Sequence, residues 1–150
     1  MMIRKITQYK ILVFGYLIFL SLASFAQAEN LPKTLLAPNA HMMQQAGDLE
    51  IFDIRTPEEW TQTGVAEGAN LITMHNPDGP LAFLAAIKLS VKGDLDKPIA
   101  MICATGARSD WAQKFLKANG FSNVSNISEG MMGRGPTPGW IARKLPTKQP

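Results

Sequence analysis

Cys103 is the only cysteine among the 150 residues. It follows an apolar run, Pro98-Ile99-Ala100-Met101-Ile102, and opens the segment Cys103-Ala104-Thr105-Gly106-Ala107-Arg108-Ser109. A thiol placed there, followed by a glycine-bearing loop, an arginine and a helix, stands where backbone N–H groups converge on an anion. Such a setting stabilises the thiolate, and the thiolate is the nucleophile. With no second cysteine no internal disulfide can form, so Cys103 is expected to be a free, reactive thiol. The bland alternative, a small apolar filler, explains neither the glycine nor the arginine beside it.

Other residues with chemical potential are more scattered. Asp53 and Arg55 could form an active-site pair, but an Asp at a strand end before a Pro-started helix reads better as a cap and hydrogen-bond anchor. Arg108 stands near a helix start, where a cation is mildly unfavourable, and that cost suggests a purpose. His41 and His75 have no second ligand at metal-binding spacing, so no metal site is expected. Met42-Met43 and Met131-Met132 raise the idea of copper, but methionines fill irregular gaps well and packing is the simpler expectation. Trp111 reads as core or pocket wall.

The elements that must position Cys103 follow from hydrophobic pattern and punctuation. Residues 29–38, with Pro32 and Pro38, read as a tether. Asn39 is a candidate cap for a helix over 40–47 that ends at Gly47. Leu49 to Ile54 alternates apolar with polar as a strand does. Thr56-Pro57-Glu58-Glu59 predicts a helix start, with Thr56 as cap, Pro57 at the first position and Glu59 completing a capping box; Trp60 then faces inward. Ala69 to Thr73 predicts a short strand and residues 80–90 a helix with a wide apolar face. Ile99 to Ile102 is too uniformly apolar for a half-solvated strand and fits the centre of a parallel sheet covered on both faces. Ser109 to Ala118 is an amphipathic helix stopped by Asn119-Gly120, and Val124 to Ile127 a last strand. The Gly-rich stretch from Gly130 to Gly139 is either a lid over Cys103 or a turn-rich path to Trp140.

Strands alternating with helices predict an α/β domain of three layers, a mostly parallel central sheet flanked by helices. Ligands of such sheets lie beyond the carboxyl ends of the strands, where Cys103 and Asp53 both map. At the N-terminus, Arg4, Lys5 and Lys10 precede the apolar run Ile11 to Phe25, and Ala26-Gln27-Ala28 resembles a cleavage site. Residues 1–28 therefore read as an export signal, with an uncleaved inner-membrane anchor the weaker alternative. Removing residues 1–28 from the 150 leaves 122, and the loss of those three cations brings the 15 basic residues to 12, equal to the 12 acidic ones. A balanced chain lacks the clustered cationic excess of a nucleic-acid footprint. The remaining length suits one domain with its own core, and the tail at 147–150 is expected to fray.

From about Asn39 to Pro146 the chain resembles the rhodanese-like sulfurtransferases. Asp53-Ile54-Arg55 with Glu59-Trp60 looks like that family's first signature, and Gly64-Val65-Ala66-Glu67-Gly68-Ala69 like the segment that follows it. Cys103 to Ser109 resembles the active-site loop and Glu129-Gly130-Met131 the turn after the last strand. Val65 stands where the family often has His. The resemblance implies a rhodanese-like domain over residues 39–146 in which Cys103 attacks the outer sulfur of a donor such as thiosulfate, becomes a persulfide, and passes the sulfur to cyanide or a thiol. Backbone N–H groups from Ala104, Thr105, Gly106, Ala107 and Arg108 would cradle the persulfide anion, with Arg108 orienting the donor's oxygens and Asp53, Arg55 and Ser109 in support. No cofactor is implied. The implied partners are a small sulfur donor and an acceptor, with a protein thiol among the candidates; the expected setting, the periplasm, follows from the export signal at residues 1–28.

Three other readings are weaker. Cysteine phosphatases of similar architecture place five residues between Cys and Arg; here there are four, and no Asp stands out as general acid. A non-catalytic binding or sulfur- and redox-sensing module would have less need of the intact Cys, Gly and Arg. Thiol redox traffic is disfavoured by the lack of a resolving cysteine.

Overall fold

The computed structural model describes residues 30–150. The expected export signal at residues 1–28 lies outside the described residues. In chain order the elements are β1 (Thr34–Leu35), α1 (Ala37–Ala46), β2 (Glu50–Asp53), α2 (Pro57–Thr63), β3 (Val65–Ala66), β4 (Asn70–Leu71), α3 (Pro80–Ser90), β5 (Ile99–Ile102), α4 (Ala107–Ala118), β6 (Val124–Ile127), β7 (Gly133–Arg134), β8 (Thr137–Pro138) and β9 (Thr147–Lys148). The order β1-β6-β5-β2-β4 forms one sheet, and every pairing in it is parallel. β5 is central and fully buried, which accounts for its unbroken apolar run.

Alternation along the strands sorts the core into two halves. Ile51, Ala100, Ile102 and Ile127 pack on one face with Ala37 and Ala40 of α1, Met131 and Trp140. Phe52, Ile99, Met101, Cys103 and Val124 pack on the other with Phe83, Leu84 and Ile87 of α3 and Ala112 and Leu116 of α4. The result is the expected three-layer α/β arrangement, with the single cysteine on the α3–α4 side.

Helix α2 starts as its sequence dictates: Thr56 caps it, Glu59 N donates to the Thr56 hydroxyl, and Thr56 N donates to the Glu59 carboxylate. Helix α1 departs from expectation. Leu36 occupies the cap position, Asn39 lies inside the helix, and the Ala37 N–H is satisfied by the Glu129 carboxylate at 2.9 Å. A buried anion from residue 129 thus does the work assigned to a local cap.

Both ends of the domain are more ordered than the sequence suggests. The expected tether at 29–38 contributes edge strand β1, paired with β6, and the first residues of α1. The expected frayed tail at 147–150 contributes β9, which pairs antiparallel with β3 through Val65↔Lys148 and Ala66↔Thr147. Short extended segments gain their stability from the partner strand, and neither partner is adjacent in sequence. Among the described residues no helix is long and apolar enough to cross a membrane.

Candidate active site

The register sets the geometry of the site. Asp53 at the end of β2 lies opposite Ile102 at the end of β5, so Asp53-Ile54-Arg55 and Cys103 leave the same sheet edge side by side. Beyond Cys103 the chain turns through Gly106, which caps α4 with φ +87°. A Cβ there would lie 2.0 Å from the Ser128 carbonyl oxygen, so only glycine permits this approach.

The Cys103 Sγ accepts two hydrogen bonds, one from Gly106 N at 3.2 Å and one from Ser109 Oγ at 3.3 Å. Both the cysteine and Ser109 are buried. The first intrahelical bond of α4 runs from Asp110 N to Gly106 O. The N–H groups of Ala107, Arg108 and Ser109 consequently open the helix with no carbonyl partner among the described residues, and they carry the positive end of its dipole. The carbonyl side of the loop is occupied instead: Met131 N donates to Cys103 O and Met132 N to Ala104 O, each at 2.8 Å. Gly130 makes this possible, because a Cβ there would lie 2.4 Å from Ala104 O. The stretch from Gly130 to Gly139 is therefore a buttress under the loop, closed by the β7–β8 hairpin and by Trp140 N donating to Gly130 O.

Asp53 and Arg55 form a buried ion pair. Arg55 Nη2 is 2.6 Å from Asp53 Oδ2, and its Nε donates to both carboxylate oxygens. The other guanidinium donors reach Gly64 O and Thr63 Oγ1. A network so fully satisfied tolerates burial, and it ties the end of β2 to the end of α2. The pair anchors the backbone beside Cys103 without touching the sulfur.

Arg108 has a partner that its position in the sequence does not reveal. Its Nη2 and Nη1 donate to Glu59 Oε1 and Oε2 at 2.5 and 2.8 Å, a bidentate pair between α4 and α2. The arginine holds the Glu59 carboxyl at about 2, against burial that pushes it up. The reciprocal hydrogen bond raises Arg108, with Cys103 a smaller contributor in the same direction. Nη1 also lies 3.2 Å from His75 Nε2, which accepts from it in the Nδ1-protonated tautomer. The sequence placed Glu59 in the capping box and in the first family signature, with no partner across the domain, and left His75 isolated. Local patterns carry no signal for a contact across 49 or 33 positions.

The remaining expectations divide. Trp111, expected in the core or a pocket wall, is 42% exposed and stacks on Phe115 at 4.8 Å, because Ala112 and Leu116 take the inward face of α4. Trp60 is only half-buried. Of the methionine pairs, Met43 and Met131 pack in the core while Met42 and Met132 are exposed. His41 sits edge-on to Trp140. A concavity of about 540 Å³ lined by Leu31, Met43, Leu49, Lys97, Pro98 and Asn123 opens at the opposite end of the strands, far from the thiol.

A buried sulfur that accepts two hydrogen bonds at the head of a helix is suited to carrying negative charge and to nucleophilic attack. The sequence pattern of the rhodanese-like domain family matches residues 37–133. An uncharacterised protein of Rickettsia prowazekii, RP600, is 32% identical over 102 residues, covering 64% of this chain and 80% of that protein. The thiosulfate sulfurtransferase GlpE of Stutzerimonas stutzeri is 32% identical over 98 residues, covering 65% and 80%. The polysulfide-sulfur transferase homodimer of Wolinella succinogenes is similar in structure, with a TM-score of 0.56 at 26% identity and coverage of 77% of each chain.

Proposed function

The chain belongs to the rhodanese-like domain family, and on that premise we propose that it is a sulfurtransferase working through a Cys103 persulfide. The Cys103 thiolate attacks the sulfane sulfur of a small donor such as thiosulfate. The donor's S–S bond breaks, sulfite leaves with the bonding electrons, and the new S–S bond sits on Cys103. A thiophilic acceptor, cyanide or a thiol, then takes the outer sulfur and regenerates the thiolate. The observation that carries this reading is the pair of hydrogen bonds from Gly106 N and Ser109 Oγ to Sγ. Donors fixed in place before the charge arrives need no reorganisation to stabilise a thiolate or persulfide anion. The unpaired N–H groups at the head of α4 add to the same field.

The site of action we propose is the periplasm, from the charge and hydropathy pattern of residues 1–28. The test is the intact mass of the full chain, expressed with its N-terminus, before and after incubation with thiosulfate, beside Cys103→Ser. A reducible gain of one sulfur atom in the cysteine protein alone is expected, and retained sulfur transfer in Cys103→Ser would overturn the assignment. The same mass reports whether residues 1–28 are removed.

One observation favours a second reading, a non-catalytic binding or sulfur- and redox-sensing module: Cys103 is only 1% exposed. Turnover separates the two. A transferase releases many equivalents of thiocyanate from thiosulfate and cyanide, whereas a module accepts one sulfur and stops.

A further inference from the structure

Arg108 is the only cationic side chain between Cys103 and Ser109. Its charge is already answered by Glu59, through the bidentate pair at 2.5 and 2.8 Å, and His75 accepts from the same guanidinium. The other side chains between Cys103 and Arg108 are Ala104, Thr105 and Ala107, none of them charged. Arg55, the buried arginine at this sheet edge, is consumed by Asp53, Gly64 and Thr63. The positive potential left for an incoming donor is that of the α4 terminus, about half an elementary charge, and the weakened field of a paired Arg108 that still interacts with Cys103. A thiosulfate dianion approaching a thiolate gathers three negative charges in that field. A thiol persulfide with an uncharged carrier brings one or none.

Resting on the reading of Cys103 as sulfur acceptor, we infer that the preferred donor is a low-charge thiol persulfide, and that Glu59 sets this preference by neutralising Arg108. Glu59 is here a positioning residue: it acts on the donor through the arginine. In the transfer, Cys103 thiolate attacks the outer sulfur of R–S–SH and the donor S–S bond breaks. The electron pair leaves on RS⁻, which takes up the proton released from the new Cys103 persulfide. The sulfur moves as a neutral atom, so no oxidant or reductant is required.

The test measures persulfide loading of Cys103 by two probes, thiosulfate and the persulfide of 2-mercaptoethanol, in the wild type, Glu59→Gln, and Glu59→Gln/Arg108→Leu. Freeing the arginine should raise loading efficiency with thiosulfate about tenfold, equivalent to about 1.4 kcal/mol, chiefly through KM. The uncharged persulfide should change less than about twofold, and the double variant should lose the gain. An unchanged thiosulfate efficiency in Glu59→Gln, an equal change with both probes, or a gain that survives removal of Arg108 overturns the inference. Should Glu59→Gln fail to fold, salt dependence in the wild type decides. Loading by thiosulfate should stay flat or rise between low and physiological ionic strength, and a steep fall would reveal a free cation and overturn it. Failure of both probes to load any of the proteins rejects the sulfurtransfer reading itself, and the donor preference with it.

Discussion

At the scale of single residues the chemistry depends on what faces one sulfur. Ser109 is fully buried, and its hydroxyl donates to Cys103 Sγ. Hydrogen bonds to charged acceptors are worth about 1.5–3 kcal/mol, and sulfur is a weak acceptor, so the lower end applies. Ser109→Ala should therefore slow persulfide formation about tenfold, read by quenched-flow mass spectrometry, while the melting temperature moves only slightly. An unaltered rate would show that Gly106 N and the helix terminus suffice. The placement of Cys103 and of its loop at the head of α4 was legible in the sequence because a cysteine after an apolar run, a glycine and a helix start are local features. The Glu59–Arg108–His75 contact was not, because three segments far apart in the sequence meet only after folding.

At the scale of elements, a loop keeps its N–H groups aimed at a sulfur only if its carbonyls are held elsewhere. The turn after β6 does this, with Met131 and Met132 donating to Cys103 O and Ala104 O. Gly130 is the position on which the contact depends, with φ +63° and a Cβ position only 2.4 Å from Ala104 O. Gly130→Ala combines left-handed backbone strain with overpacking, and it should cost about 2–4 kcal/mol, measured as a lowered urea midpoint with a matching loss of sulfur loading. Near-native stability would mean that the turn moves aside and the buttress is dispensable. The helix starts at Pro57 and Pro80 and the stops at Gly47 and Gly120 follow from residue type alone, and the structure keeps them. The cap of α1 does not: the Glu129 carboxylate arrives from 92 positions away, held by its ion pair with Arg143.

At the scale of the whole molecule, α2 and α4 are joined by the Glu59–Arg108 pair, and this joint senses acid. The Glu59 carboxyl falls from the ordinary 4.5 to about 2 in the folded protein. The folded state therefore binds that proton less readily than the unfolded chain. The stabilisation is present in full above about pH 4.5 and is lost as the pH falls through about 2. Both side chains are nearly a third exposed, so solvent screening reduces the contribution to about 1 kcal/mol. Urea unfolding of wild type and Glu59→Gln should differ by about that amount at pH 6 and converge toward pH 2; a gap independent of pH would assign the loss to the capping box instead. What the sequence by itself determined is the set of elements, their α/β order and the position of a thiol beyond a central strand. Each of these rests on interactions within about ten residues: hydrophobic period, caps, turns, and a buried run of four. Only the tertiary structure decided which charges answer one another, that the end segments 34–35 and 147–148 become strands, and that the Gly-rich stretch supports the loop rather than covering it. Those outcomes depend on partners 28 to more than 90 positions apart, brought together by the parallel sheet, and no local preference of the chain encodes which distant group will fill a given vacancy.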